Sequence, residues 1–318
     1  MRPTAYEAAG RLRPLPCFVV IRLDAATVLL QWSVGGMAFC WFTTRRRRVG
    51  LGYGWLLRGT YALLGVGALL AAWRYGFEPV RDVAGAAFVV ATLVALGVSV
   101  ARRRAGVSGQ TAEHDRRRAR VAAMTGIERS GSDAGAHGSH TADHAAAGSE
   151  FAPVLDLIAA AVGAVALIAA GWVSAPDGGA DIALGVVRTL VGAAFLGAVT
   201  DAMLLGHWYL VQPGLPRSLL NEIVTALAWI WPLEVFALLV PTGMISVWTG
   251  SVDDGWSGTL GWFWAACAIT TIVLILVTRA ALKERQYAAV MAATGLLYLA
   301  ILTAFGTDLV ARAVLDTA

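Results

Sequence analysis

Residues 182–242 read IALGVVRTLVGAAFLGAVTDAMLLGHWYLVQPGLPRSLLNEIVTALAWIWPLEVFALLVPT. Two apolar runs, 182–211 and 218–242, stand on either side of QPGLP at 212–216. Each exceeds the roughly 20 residues that a helix needs to cross a hydrocarbon core of about 30 Å. Between them Pro213 presets its own φ and Gly214 accepts the positive φ that follows, so a tight turn is expected. A connection that short makes the two runs antiparallel neighbours, a helical hairpin buried in a bilayer.

Six more runs of this kind occur, at 25–43, 55–73, 83–101, 152–173, 259–278 and 286–306. Hydrophobic residues make up 58% of the 318 and charged ones only 14%, where soluble domains carry about a quarter charged. The expected fold is therefore all-α, a polytopic integral membrane protein with a bundle of about eight transmembrane helices. Along the chain this gives an N-terminal segment (1–24), transmembrane helices one to three (25–101), a polar loop (102–151), helices four to eight (152–306) and a C-terminal tail (307–318).

The net charge of +4 does not point to nucleic acid, because the basic residues form no soluble stripe with interleaved aromatics. They sit in alternate loops: Arg45 to Arg48, Arg102 to Arg104 with Arg116 to Arg118, Arg217, and Arg279, Lys283 and Arg285. The intervening loops carry Asp177, Asp181, Asp253 and Asp254. The positive-inside rule then places the arginine-rich loops in the cytoplasm and both termini outside the cell membrane. Arg2, Arg11, Arg13 and Arg22 run against this at the first crossing. Anionic lipid headgroups are the expected partners of the arginine clusters.

The stretch 102–151 nearly lacks large apolar residues and is expected to be disordered, with a short helix near 112–125. His137, His140 and His144 lie in it. The surrounding glycines work against one helical face that would gather them, so no metal site is expected. Cys17, Cys40 and Cys267 fit neither a disulfide framework nor a CxxC spacing. Small residues at helix-packing spacings, Ala159 with Gly163, Ala193 with Gly197, and Gly35 with Gly36, mark places where helices can approach closely. Trp32, Trp229 and Trp231 fall inside segments rather than at belts, which reads as packing or as a ligand-facing wall.

The hairpin concentrates the polar residues. Counting from Gly214, His207 is seven residues back and Glu222 eight forward, one level in the bilayer, where they could pair if helix rotation lets them face. Tyr209 and Asn221 lie close to that depth, Trp208 beside them, and Asp201 deeper, near the level of Trp229. A carboxylate near a helix centre costs about 2.5–3.5 kcal/mol on insertion scales, so such groups mark ligand or proton sites by default. Asp201, His207, Trp208, Tyr209, Asn221, Glu222 and Trp229 are accordingly the candidates for ligand binding or proton exchange. Arg188 and Glu234, both near the opposite end, are candidates for a structural ion pair.

No catalytic motif is present: no GxxxxGK[ST], HExxH or GxSxG. No cofactor is expected; haem b would need a second axial ligand beside His207. The leading expectation is a membrane-embedded binding or accessory protein. Its helices five and six would take an amphipathic ligand, a quinone or lipid, or a partner complex, at their cytoplasmic end. The alternatives are a proton-coupled secondary transporter, with Asp201, Glu222 and Glu234 carrying the coupling ion, and a structural subunit of a membrane complex.

Overall fold

The computed structural model describes residues 24–107, 150–174, 179–212, 214–240, 243–252, 254, 256–284 and 286–315. The expected disorder and short helix of the polar loop, its three histidines, and nearly all of the N-terminal segment lie outside these residues.

Among the described residues the chain forms eight long helices and no strand. They are α1 (Ala25–Thr44), α2 (Leu51–Tyr75), α3 (Pro79–Ala101), α4 (Val154–Val173), α5 (Ala180–Val211), α6 (Ser218–Leu239), α7 (Thr259–Ala281) and α8 (Tyr287–Leu315). Each is long and apolar enough to cross a membrane, and the protein is a polytopic helical bundle. Only helices satisfy every backbone group internally where lipid offers no partner. Side chains that would be anomalous on a soluble protein therefore point outward: Leu63 is 72% exposed, Leu302 70% and Trp262 71%.

Helix ends follow local chemistry. Asp24 caps α1 by accepting from the Ala26 amide at 3.1 Å, and Arg81 at the start of α3 reaches back to the same carboxylate at 2.7 Å. Pro79 opens α3, where its missing N–H has no intrahelical role. Gly214 takes the positive φ of 95° that the turn between α5 and α6 requires. The largest departure from the sequence boundaries is α8, which runs past 306 to Leu315 and carries Asp308 and Arg312 into the bundle.

The helices pack as two four-membered rings. α1, α2, α3 and α4 close one, α5, α6, α7 and α8 the other, and α5 joins them by lying against both α1 and α4. Along the chain the long polar loop connects α3 and α4, two members of the first ring, rather than linking one ring to the other. α1 is the most enclosed span, and its sequence allows that. A Cβ on Gly35 would land on the backbone of Ala193, and one on Gly197 would land on that of Gly35, so α1 and α5 meet backbone to backbone. Gly171 of α4 and Gly185 of α5 repeat the device, with a Cβ on Gly185 placed 2.5 Å from the Gly171 carbonyl oxygen. Lipid gives no hydrophobic drive for helix association, and close van der Waals contact at small residues takes its place.

Candidate functional site

Where α1, α2 and α5 converge, the Gly36 position has no side chain and the Tyr61 ring of α2 fills that space. The ring thereby reaches α5, and its hydroxyl donates to Oδ1 of Asp201. Asp201 is fully buried, and its Oδ2 has no hydrogen-bond partner. Among the described residues no Lys, Arg or His lies within ion-pair distance of it. The Tyr53 hydroxyl, two turns before Tyr61 on α2, is buried too and likewise lacks a partner. One residue before Asp201, the Thr200 hydroxyl accepts from Trp32 Nε1 at 3.0 Å and donates to the Leu196 carbonyl at 2.7 Å. That bond, with an edge-on contact to Phe305 at 4.7 Å, makes Trp32 a packing residue. Trp231 is another, donating to the Ala268 carbonyl at 3.0 Å.

Nearer the arginine-rich end lies a second buried constellation. Arg58 of α2 makes a two-pronged pair with Asp156 of α4, Nε to Oδ1 and Nη2 to Oδ2, both 2.7 Å. Its Nη1 donates to Ser99 at 3.2 Å, and Ser99 also accepts from Trp55 at 3.1 Å. The Cys40 thiol lies 3.9 Å from Asp156 Oδ2, and the Phe151 ring covers the guanidinium at 4.2 Å. A crevice of about 350 Å³, open mouth included, leads down to Arg58 past Thr44, Arg47, Gly54 and Glu150. In its lining Arg47 pairs with Glu150 at 2.8 Å; apart from the crevice, Glu222 pairs with Arg46 at 2.5 Å and Arg45 at 3.7 Å.

The seven candidate residues of the hairpin do not gather into one pocket. Successive residues of a helix turn by about 100°, so α5 directs Asp201, Leu205 and Tyr209 inward and His207 outward. His207 is exposed and meets the Tyr298 hydroxyl of α8 at 3.3 Å; Glu222, level with it by residue count, is drawn to Arg45 and Arg46 instead. Trp208 donates to Gln212 at 3.1 Å and packs on Tyr53 at 5.7 Å. Tyr209 donates to the Pro216 carbonyl at 2.7 Å and so fastens the turn. On α6 the buried stripe is Leu220, Ile223, Val224 and Leu227, which leaves Asn221 exposed and Trp229 73% exposed on the outer face.

The expected pair of Arg188 and Glu234 is not a direct one. Arg188 does reach α6, but its guanidinium donates to the carbonyls of Ala237 at 2.9 Å and Val240 at 2.8 Å, the free acceptors at that helix's C-terminal end. Glu234 is fully buried, and neither carboxylate oxygen receives an N–H or O–H donor. Its charged neighbours are Asp308 and Arg312 of α8 together with Arg188.

Sequence reasoning passed over Arg58, Asp156, Tyr53, Tyr61, Gln31, Asp308 and Arg312. Arg58 and Asp156 stood inside recognised runs, and the rule that flagged Asp201 applies to them equally. Asp308 and Arg312 are spaced i, i+4 and bond at 2.9 Å, a helical signal just beyond the expected end of the last run. Among the described residues no group of three His, Cys, Asp or Glu side chains could hold a metal ion. Comparisons with family models, with curated proteins and with solved structures found no match to this chain.

Proposed function

We propose that this protein is a proton-coupled carrier, lying in the cell membrane with its arginine-rich end toward the cytoplasm, and that Asp201 is its proton-exchanging group. One observation carries the reading: a fully buried carboxyl in the middle of the bundle with a single hydroxyl donor, an unpartnered second oxygen and, among the described residues, no cation in reach. An isolated carboxylate in a medium of low dielectric is too costly to keep, so the group holds a proton until water or a cation approaches. A structural carboxylate would be expected to own a partner, as Asp156 owns Arg58.

Polar groups continue from Asp201 toward both ends of the α1–α5 contact. On one side stand Tyr53, Cys40 and the Arg58–Asp156 pair beneath the crevice. On the other, Thr200 and Trp32 are followed by Gln31, whose amide donates to the Thr189 carbonyl at 2.9 Å, and then by Asp308 and Arg312. This succession favours proton movement over an amphipathic-ligand site at the α5–α6 turn, because the aromatic and polar residues that would have built such a site face different surroundings.

Vesicles containing the purified protein test the proposal. They are given an imposed proton gradient and an external low-mass filtrate of cell extract, and mass spectrometry reads what accumulates inside. Accumulation of some solute should depend on the gradient and vanish in Asp201→Asn while surviving in His207→Ala. Uptake indifferent to the gradient, or equal in Asp201→Asn and the wild type, overturns it.

A further inference from the structure

The polar succession that leads away from Asp201 ends, at the side of the bundle opposite the arginine-rich loops, in a buried cluster to which that reading assigns no chemistry of its own. On α5, Gly192 presents no side chain, and where its Cβ would stand three groups converge: Arg312 Nη2 at 2.6 Å, Asp308 Oδ1 at 2.7 Å and Gln31 Nε2 at 2.9 Å. Asp308, Glu234 and Gln31 are all fully buried. Arg312 holds both Asp308 oxygens through Nε at 2.9 Å and donates through Nη2 to the Arg188 carbonyl at 3.1 Å. Glu234 is the neighbour of Asp308, Arg312 and Arg188, and both of its carboxylate oxygens are buried without a hydrogen-bond partner. Gln31 Oε1 is a further buried acceptor without a donor.

Two neighbouring buried carboxylates offer each other acceptors only, and their mutual repulsion disfavours charging both. A proton between them closes the contact and leaves one negative charge, which Arg312 balances. We infer that Glu234 and Asp308, counter-charged by Arg312 and roofed by Gln31 across Gly192, form a second proton-binding site. It rests on the reading of Asp201 for its part in transport, as the other station of a route along α1 and α5. Among the described residues the charged groups around it are Arg188 from α5, Glu234 from α6, and Asp308 and Arg312 from α8. From α7 comes Cys267, against Gly306 of α8, and α1 contributes the neutral Gln31. Among the described residues no third carboxylate, histidine or cysteine joins the two to make a ligand set, so a proton is favoured over a metal ion.

Infrared spectroscopy of the full chain in lipid nanodiscs, in H2O and D2O at neutral pH, reads protonated carboxyls through their C=O stretch. The wild type should show two components. Glu234→Gln should remove one of them, and Asp308→Asn the same one, because the new amide can donate to Glu234 and let it ionise. Asp201→Asn should remove the other alone. Retention of full intensity in both Glu234→Gln and Asp308→Asn overturns the inference. So does a component that disappears when sodium chloride replaces choline chloride, which would identify a cation site. Loss in Glu234→Gln with no change in Asp201→Asn keeps this site and refutes the Asp201 reading; the reverse pattern does the opposite.

Discussion

Asp156→Asn isolates the most deeply buried charge pair among the described residues. Arg58 and Asp156 are 2% and 0% exposed and bond twice at 2.7 Å. The asparagine keeps the shape and one acceptor but removes the charge that answers the guanidinium. Ser99 at 3.2 Å and the Phe151 ring remain, and neither is an anion. Breaking one partner of a buried pair costs about 3–5 kcal/mol, because the remaining charge stays desolvated. That is a fifth or more of a typical stability of about 5–15 kcal/mol and about two to four orders of magnitude in the folding equilibrium. The double variant Arg58→Met with Asp156→Leu removes both charges and should recover most of the loss, since well-packed apolar replacements of a buried pair are often neutral or better. Unfolding in mixed micelles titrated with a denaturing detergent, followed by helical circular dichroism, measures all three chains. A loss below about 1 kcal/mol in Asp156→Asn, the range of solvated surface pairs, would refute the reasoning and show that water in the crevice already reaches Arg58.

Gly197→Val should cost at least the upper end of the roughly 1–3 kcal/mol of ordinary overpacking, because the added atoms meet the α1 backbone, with Gly36 N at 2.7 Å from the new Cβ; the same titration reads it. Glu222→Gln should change stability by less than about 1 kcal/mol, since its pairs with Arg45 and Arg46 are partly exposed; a larger loss would mean that this cluster organises the bundle end. Asp254 lies outside the helices in the loop before α7. Burial works against its charge, but the amides of Gly258, Trp256 and Leu260 at 2.8, 2.9 and 3.0 Å outweigh that and hold it below the ordinary carboxylate range. A group lowered on folding stabilises above its unfolded value of about 3.9 and loses that contribution as pH falls through its folded one. Asp254→Asn should therefore melt lower than wild type at neutral pH, by about 1 kcal/mol as for a lost cap, and the two should converge in strong acid; a constant gap at every pH would remove the electrostatic explanation.

The eight crossings were legible because length and hydropathy suffice to define them, and so were the close-approach positions on α1 and α5, because glycine and alanine at helical spacing mark them; that these two helices meet each other there was not. Depth was legible as well, since counting from Gly214 needs only the helical rise. Rotation was not. His207 and Glu222 sit at matched levels yet face apart, because which side of a helix turns inward is decided by every neighbour at once. The buried partner of Asp201 comes from another helix, and Tyr61 reaches it only through the space left by Gly36 on a third. No spacing along the chain encodes that arrangement. Asp308 and Arg312 were hidden differently, by ending the last run where its hydropathy faded although its helix continues.

The contact of α1 with α5 also limits how this sequence can vary. When two side chains collide, trimming either relieves the clash, so a change at one position can be compensated at the other. At Gly35 an added methyl meets the carbonyl of residue 193 itself, an atom that every amino acid carries. No substitution at position 193 can make room for it. Drift among descendants of this chain should therefore leave positions 35 and 197 as glycine independently, without the paired exchanges by which contacting residues usually reveal each other.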